Sequence, residues 1–180
     1  MPDGVCGLRR FVLVLAAMLA GCAGAPLDVE VPNRFNLDGD WLLVASMSDE
    51  PPAPTREQRL PMGRGQSRRA PPGLGLAFVR HDFPGLSARQ LHIEQSRDSM
   101  GVRYDGSEYR DVSWGERERG LWRVNAGWNE NGDLVIRYRA SDAKAQEIYS
   151  LDPKDDRLRL AIEINTDRED VSVVRVFERI

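Results

Sequence analysis

Apolar and polar side chains alternate strictly near the end of the chain. Leu158, Leu160, Ile162 and Ile164 are interleaved with Arg157, Arg159, Ala161 and Glu163. A period of two puts one set on a buried face and the other in water, the pattern of a β-strand packed on one side. The same rhythm sets Leu134, Ile136 and Tyr138 against Val135, Arg137 and Arg139. It recurs with Leu91 and Ile93 among Gln90, His92 and Glu94, and with Val102 and Tyr104 beside Arg103 and Asp105. Asp105-Gly106 and Asn131-Gly132 separate such runs and accept the positive φ of tight hairpin turns. The pattern predicts eight or nine strands, at 40–47, 88–96, 99–105, 108–114, 119–127, 133–140, 145–151, 157–165 and 171–179. Their even spacing predicts an all-β fold, an antiparallel up-and-down meander in one sheet. Such a sheet exposes two edges unless it closes into a barrel or curves strongly.

Two stretches break the rhythm. Residues 48–75 hold Pro51, Pro52, Pro54, Pro61, Pro71 and Pro72, four glycines, and Arg56, Arg59, Arg64, Arg68 and Arg69. Proline removes backbone donors and glycine is entropically costly to order, so this insertion is expected to be polar and disordered. Residues 76–86 fit either a strand start or a short helical turn. At the other end, Arg9 and Arg10 precede an apolar run from Phe11 to Ala20. The run is too short for a spanning helix, which needs about 20 apolar residues, and fits the core of an export signal. Leu19, Ala20 and Gly21 then precede Cys22. This tetrapeptide resembles the lipobox of bacterial lipoproteins. The resemblance implies cleavage after residue 21 and lipid transfer to the Cys22 sulfur, with further acylation of the new amino terminus. The expected organisation is a signal peptide at 1–21, a lipidated tether at 22–36 and a β domain at 37–180. Ala23 rather than Asp follows the cysteine, which resembles the signal for transfer to the outer membrane, facing the periplasm.

Composition narrows the picture. Of 180 residues, removal of 1–21 leaves 159, enough for one domain of ordinary size. Cys6 leaves with the signal and Cys22 carries lipid, so the domain has no disulfide and depends on its hydrophobic core. Loss of Arg9, Arg10 and Asp3 leaves 23 basic against 27 acidic side chains, a net charge of −4. That balance argues against a nucleic-acid partner, which selects a concentrated basic face.

Gly39-Asp40-Trp41 on the first strand is similar to the G-x-W signature of lipocalins. The resemblance implies a β-barrel in which Trp41 closes one end under an arginine from the last strand, Arg175 or Arg179. The chain departs from lipocalins in lacking a T-D-Y motif and a helix after the last strand, and in its insertion after the first strand. Tyr109, Trp114, Trp122 and Trp128 fall on central strands. They are candidates to line a cup for a small apolar ligand, with filling of the core as the competing role.

No metal, cofactor or catalytic group is expected. His81 and His92 lack partners at ligand spacing, and Asn129, Asn131, Gly132 and Asp133 make an incomplete calcium loop that a hairpin turn explains as well. There is no nucleophilic cysteine in the domain and no G-x-S-x-G. Asp155, Asp156, Asp167, Glu169 and Asp170 lie in expected turns, where a glycosidase-like pair has no particular support. The sequence therefore points to a non-catalytic envelope lipoprotein binding a small apolar ligand. A module docking on another envelope protein is the alternative, and a carboxylate hydrolase a distant third.

Overall fold

The computed structural model describes residues 25–33, 35–52, 81–105, 108–167 and 170–180. The expected signal peptide and lipobox with Cys22, residues 53–75 of the expected insertion, and residues 76–80 of the segment expected to start a strand or a helical turn lie outside the described residues.

Ten strands are described: β1 Gly39–Leu43, β2 Gln90–Gln95, β3 Ser99–Tyr104, β4 Glu108–Ser113, β5 Gly115–Arg119, β6 Trp122–Trp128, β7 Leu134–Arg139, β8 Ala143–Asp152, β9 Arg157–Thr166 and β10 Asp170–Arg179. All neighbours are antiparallel, in the order β4-β3-β2-β1-β10-β9-β8-β7-β6-β5. The fold is all-β, as the alternation predicts, and forms a nearly closed barrel. β1 joins the two halves by pairing with both β2 and β10. The two edges, β4 and β5, are consecutive in sequence yet unpaired, so the barrel has a seam beside the turn at Trp114.

The expected strand at 119–127 corresponds to β6. β5 falls between it and the expected strand at 108–114 and has no counterpart among the expected strands; the two join through a turn at Gly120 with φ +58°. β5 reads Gly-Glu-Arg-Glu-Arg and buries no side chain, so it carries no alternation to detect. The expected strand at 40–47 stops at Leu43, and Ala45–Met47 form one 3₁₀ turn. Ser48 and Asp49, assigned by proline content to the insertion, bond along β10. Val176 N–H donates to Ser48 Oγ (2.9 Å) and Val174 N–H to Asp49 Oδ2 (2.8 Å).

Inward positions supply the core. Leu158, Leu160, Ile162 and Ile164 are fully buried, facing Val171, Val173 and Phe177 of β10 and Ala145, Tyr149 and Leu151 of β8. Each such aliphatic side chain contributes about 1.5–3 kcal/mol by leaving water. The outer face is mostly polar, apart from a cross-strand row of Val135, Ile148, Ala161 and Val174.

The segment before β1 is docked against the barrel. Asp28 exchanges both backbone hydrogen bonds with Trp128, prolonging the edge of β6 where β5 leaves it. A Cβ on Gly127 would lie 2.4 Å from the Asp28 carbonyl oxygen, so only glycine admits this crossing. Arg137 Nη1 donates to the Ala25 carbonyl at 2.6 Å. Phe35 and Leu37 are buried, so the stretch read as a tether joins the core from residue 35 onward.

Candidate functional site

The two ends of the barrel are filled differently. At one end Trp41 is fully buried and its Nε1 donates to the Leu37 carbonyl at 2.9 Å. The Arg179 guanidinium carbon lies 4.2 Å from the Trp41 ring centre. Arg179 also donates through Nε to Asp156, through Nη2 to the Asn36 carbonyl (3.0 Å) and through Nη1 to the Asp38 carbonyl. Arg175, the other arginine considered for this place, points into the barrel farther along β10, opposite Leu160. It is buried and donates to the carbonyls of Asp49 (2.7 Å) and Ala88 (3.0 Å), one on each side of the inserted chain. Burial lowers its pKa, partly offset by Asp105 and Asp49. One guanidinium thus clips both legs of the insertion to β10.

At the opposite end the returning leg of the insertion enters the barrel. Phe83, fully buried, meets Tyr138 edge-to-face at 4.9 Å and Trp122 at 5.8 Å. Pro84–Leu86 form a 3₁₀ turn, and Gly85 passes so close to the inner wall that a Cβ would lie 3.0 Å from Leu160 and 3.1 Å from Ile162. Asp82 holds the segment by accepting from Trp122 Nε1 at 2.8 Å, while Arg110 donates to the carbonyls of Asp82 and His81.

Beneath this segment the apolar wall is interrupted by a polar group. Glu147 of β8 is buried at inward register and accepts from the Tyr138 hydroxyl at 2.8 Å. The hydroxyls of Tyr104 and Tyr149 lie 3.3 Å apart. Burial raises the Glu147 carboxyl above the usual range, against the hydrogen bond from Tyr138 and the charges of Arg110 and Arg119. Burial and the neighbouring Glu147 likewise raise all three tyrosines, so they are neutral donors at physiological pH. The arrangement can orient one polar group of an otherwise apolar molecule.

The aromatic candidates do not converge on one site. Trp122 and Trp128 are six residues apart on β6, about 20 Å along a strand. Trp122 belongs to the Phe83 end. Trp128 sits at the other, with Trp114 at 4.6 Å and Phe35 at 6.1 Å, and its buried Nε1 has no hydrogen-bond partner among the described residues. Trp114 is half-buried and donates to the Arg97 carbonyl at 2.8 Å. Tyr109 lies on the outer face over Gly101, half exposed, because odd positions of β4 point outward. Glu147, Tyr138, Tyr149, Tyr104 and Phe83 were not singled out in the sequence. The available signal was a carboxylate at the same parity as Ala143, Ala145 and Tyr149.

Among the described residues no cluster of three or more His, Cys, Asp or Glu is placed to hold a metal. His92 sits on the outer face, 2.7 Å from Asp40 and 3.5 Å from Glu94, and these contacts raise its pKa, the Asp40 hydrogen bond most. Asn129 Oδ1 accepts from the amides of Asn131 and Asp133, closing the β6–β7 hairpin. Of the turn carboxylates, Asp155 and Asp156 pair with Arg157 and Arg179, Asp170 accepts from Asn165, and Glu169 lies outside the described residues.

No protein-family model matches the chain, and no curated protein matches it. Several solved structures are similar to it. The REP1-NXSQ fatty acid transporter shares 12% identity at a TM-score of 0.46, over 80% of this chain and 96% of that one. The wild-type fluorescent protein UnaG shares 12% at 0.45, over 80% and 97%. A secretary abundant heat soluble protein from Ramazzottius varieornatus shares 13% at 0.39, over 51% and 70%.

Proposed function

We propose that this chain is a non-catalytic lipoprotein of the bacterial envelope, anchored through Cys22, whose barrel takes up a small, mainly apolar ligand. On this reading the Phe83–Leu86 segment occupies the ligand's space in the free protein, and the ligand's polar end meets Glu147 and the tyrosines. The carrying observation is the buried Glu147–Tyr138 pair, set in an apolar wall directly beneath that segment. Burying a carboxyl costs stability that an apolar side chain in its place would not, so a binding role gives the cost a purpose. Entry is assigned to the unpaired β4–β5 seam, where a surface hollow of about 320 Å³ is lined by Val112, Arg117, Arg119 and Val124. The anchor reading rests on the Leu19–Cys22 tetrapeptide, and placement in the outer membrane, facing the periplasm, on Ala23.

Displacement of a fluorescent fatty-acid analogue by long-chain alcohols and acids tests the ligand reading. Saturable one-to-one binding that weakens in Glu147→Leu is expected. Absence of saturable binding in both the native protein and Phe83→Ala, where the space is freed, overturns it.

One observation favours a second reading. Phe83, Leu86 and the wall side chains fill the described interior, which suits a module that docks an envelope protein through its surface. Capture experiments with and without residues 53–75 separate the two. Such a deletion spares Ser48 and Asp49, which bond β10.

A further inference from the structure

Strand register gathers positive charge on one outer face. Arg123 of β6 lies opposite Arg139 of β7, and Arg139 opposite Lys144 of β8. Arg137 stands one row away on the same face. The row is flanked by acid at both ends. On β5 Glu118 opposes Arg123 and Glu116 approaches it at 3.4 Å, while beyond Lys144 come Asn165 and then Asp170, and Glu163 follows Gln146 in the row of Arg137. Like charges set directly across a sheet repel and cost stability. Three in a row, in a domain whose net charge is negative, are not explained by folding. Across the barrel, the outer face of β1 and β2 carries Asp40 and Glu94 around His92 instead.

The path of the amino-terminal segment points to what the row meets. From the edge of β6 the chain crosses Gly127, and the Ala25 carbonyl is fastened by Arg137 at 2.6 Å. Only three peptide units separate Ala25 from Cys22, a reach of at most about 11 Å. A lipid on Cys22 therefore leaves the protein beside the cationic row and not from a remote pole. That reach is close to the Debye length of about 8–10 Å at physiological salt, so these charges feel an anionic surface.

We propose that the outer face of β6–β8, carrying Arg123, Arg137, Arg139 and Lys144, rests on an anionic phospholipid surface when the chain is anchored. This deepens the lipid-anchor reading above and depends on it. The anchor sets the distance and the charges set the orientation, turning Asp40 and Glu94 away from the bilayer.

The test uses the full lipidated protein reconstituted in vesicles rich in phosphatidylglycerol or made of phosphatidylcholine alone. With Cys22 alkylated, one engineered thiol labels uniquely, either Ser141→Cys in the exposed β7–β8 turn or Arg103→Cys on β3 across the barrel. Headgroup-attached quenchers are expected to quench the Ser141 site severalfold more than the Arg103 site on anionic vesicles. The difference should disappear on phosphatidylcholine, in about 1 M salt, where screening shortens to about 3 Å, and in the double variant Arg139→Glu, Lys144→Glu. Equal quenching at the two sites on anionic vesicles, or a preference indifferent to salt and charge reversal, overturns the proposal alone. Mass spectrometry of the same preparation reads the anchor separately, and unmodified Cys22 overturns both the anchor reading and this orientation.

Discussion

The guanidinium of Arg179 lies over the buried indole of Trp41, 4.2 Å from its centre, and seals one end of the barrel. The contact joins the first strand to the last, where the meander closes on itself. Arg179 also fastens the approach to β1 through the carbonyls of Asn36 and Asp38. A cation over an indole contributes about 0.5–2 kcal/mol, and each hydrogen bond to a charged donor somewhat more than a neutral one. Its side chain is a quarter exposed, which moderates these terms. Arg179→Ala is expected to lower unfolding stability by about 2 kcal/mol in urea. Arg179→Lys restores charge but not the planar fork and should recover only part of the loss. Trp41→Ala empties a buried site and should cost about 3–5 kcal/mol. Equal stability of Arg179→Ala and the native protein would remove the seal from this account.

Gly127 sets whether the amino-terminal segment docks. A methyl group there meets the Asp28 carbonyl at 2.4 Å and Leu27 Cβ at 2.9 Å, and a backbone atom cannot swing aside as a side-chain tip does. Gly127→Ala should detach residues 25–29 while leaving the barrel folded. Hydrogen exchange reads this directly, because the Asp28 amide, protected by the Trp128 carbonyl at 2.9 Å, loses its protection. Gly101→Ala is the control. Its methyl group first meets the end of the Tyr109 side chain, which is half exposed and can turn away at the cost of its 3.5 Å hydrogen bond to Glu94.

These two positions show what the sequence discloses and what it conceals. The long strands β8, β9 and β10 were legible because each buries one face, so burial imposes a period of two on residue choice. β5 was not, because a strand at the seam with neither face covered places no apolar demand on its sequence. The pairing of Trp41 with an arginine from β10 was open to a short motif, but the choice between Arg175 and Arg179 required register. Arg179 opposes Trp41 directly, while Arg175 opposes Leu160 farther along. The interior group around Glu147 was hidden for a different reason. In Ala143–Asp152 Lys144, Gln146, Ser150 and Asp152 share one parity, and Glu147 alone of the charged side chains takes the other. Ile148 among the wet positions blurs the period of two, so the parity of Glu147 does not by itself mark it as buried. The inward path of Phe83 follows from contacts distant in sequence, with Trp122, Tyr138 and Leu160, which local pattern does not encode.

Glu147 should make stability fall with rising pH. Its folded pKa is raised, chiefly by burial, above its value in the unfolded chain. The folded state then holds a proton that the unfolded state has released, so the contribution is complete below the unfolded pKa of about 4.3 and is lost as pH climbs through the raised folded value. Glu147→Gln keeps an acceptor for the Tyr138 hydroxyl without a charge. It should unfold at a higher temperature than the native protein near pH 8 and at about the same temperature near pH 4. A melting curve for Glu147→Gln that stays parallel to the native one across this range would contradict a raised carboxyl.

Phe83 connects stability to ligand capacity with opposite signs. Its ring fills the space between Trp122 and Tyr138, so Phe83→Ala should cost about 3–5 kcal/mol by lost burial and an unfilled cavity. If that space belongs to a ligand, the variant should bind a fluorescent fatty-acid analogue more tightly than the native protein, because no side chain has to be displaced first. Bound ligand then returns part of the lost stability by mass action, raising the unfolding temperature of Phe83→Ala more than that of the native chain at the same ligand concentration. The Trp122 emission reports from inside the site, where its Nε1 is held by Asp82. Loss of stability with no gain in affinity and no ligand-dependent rise in melting temperature would mark Phe83 as an ordinary core residue, and the surface-docking reading would then be the better account.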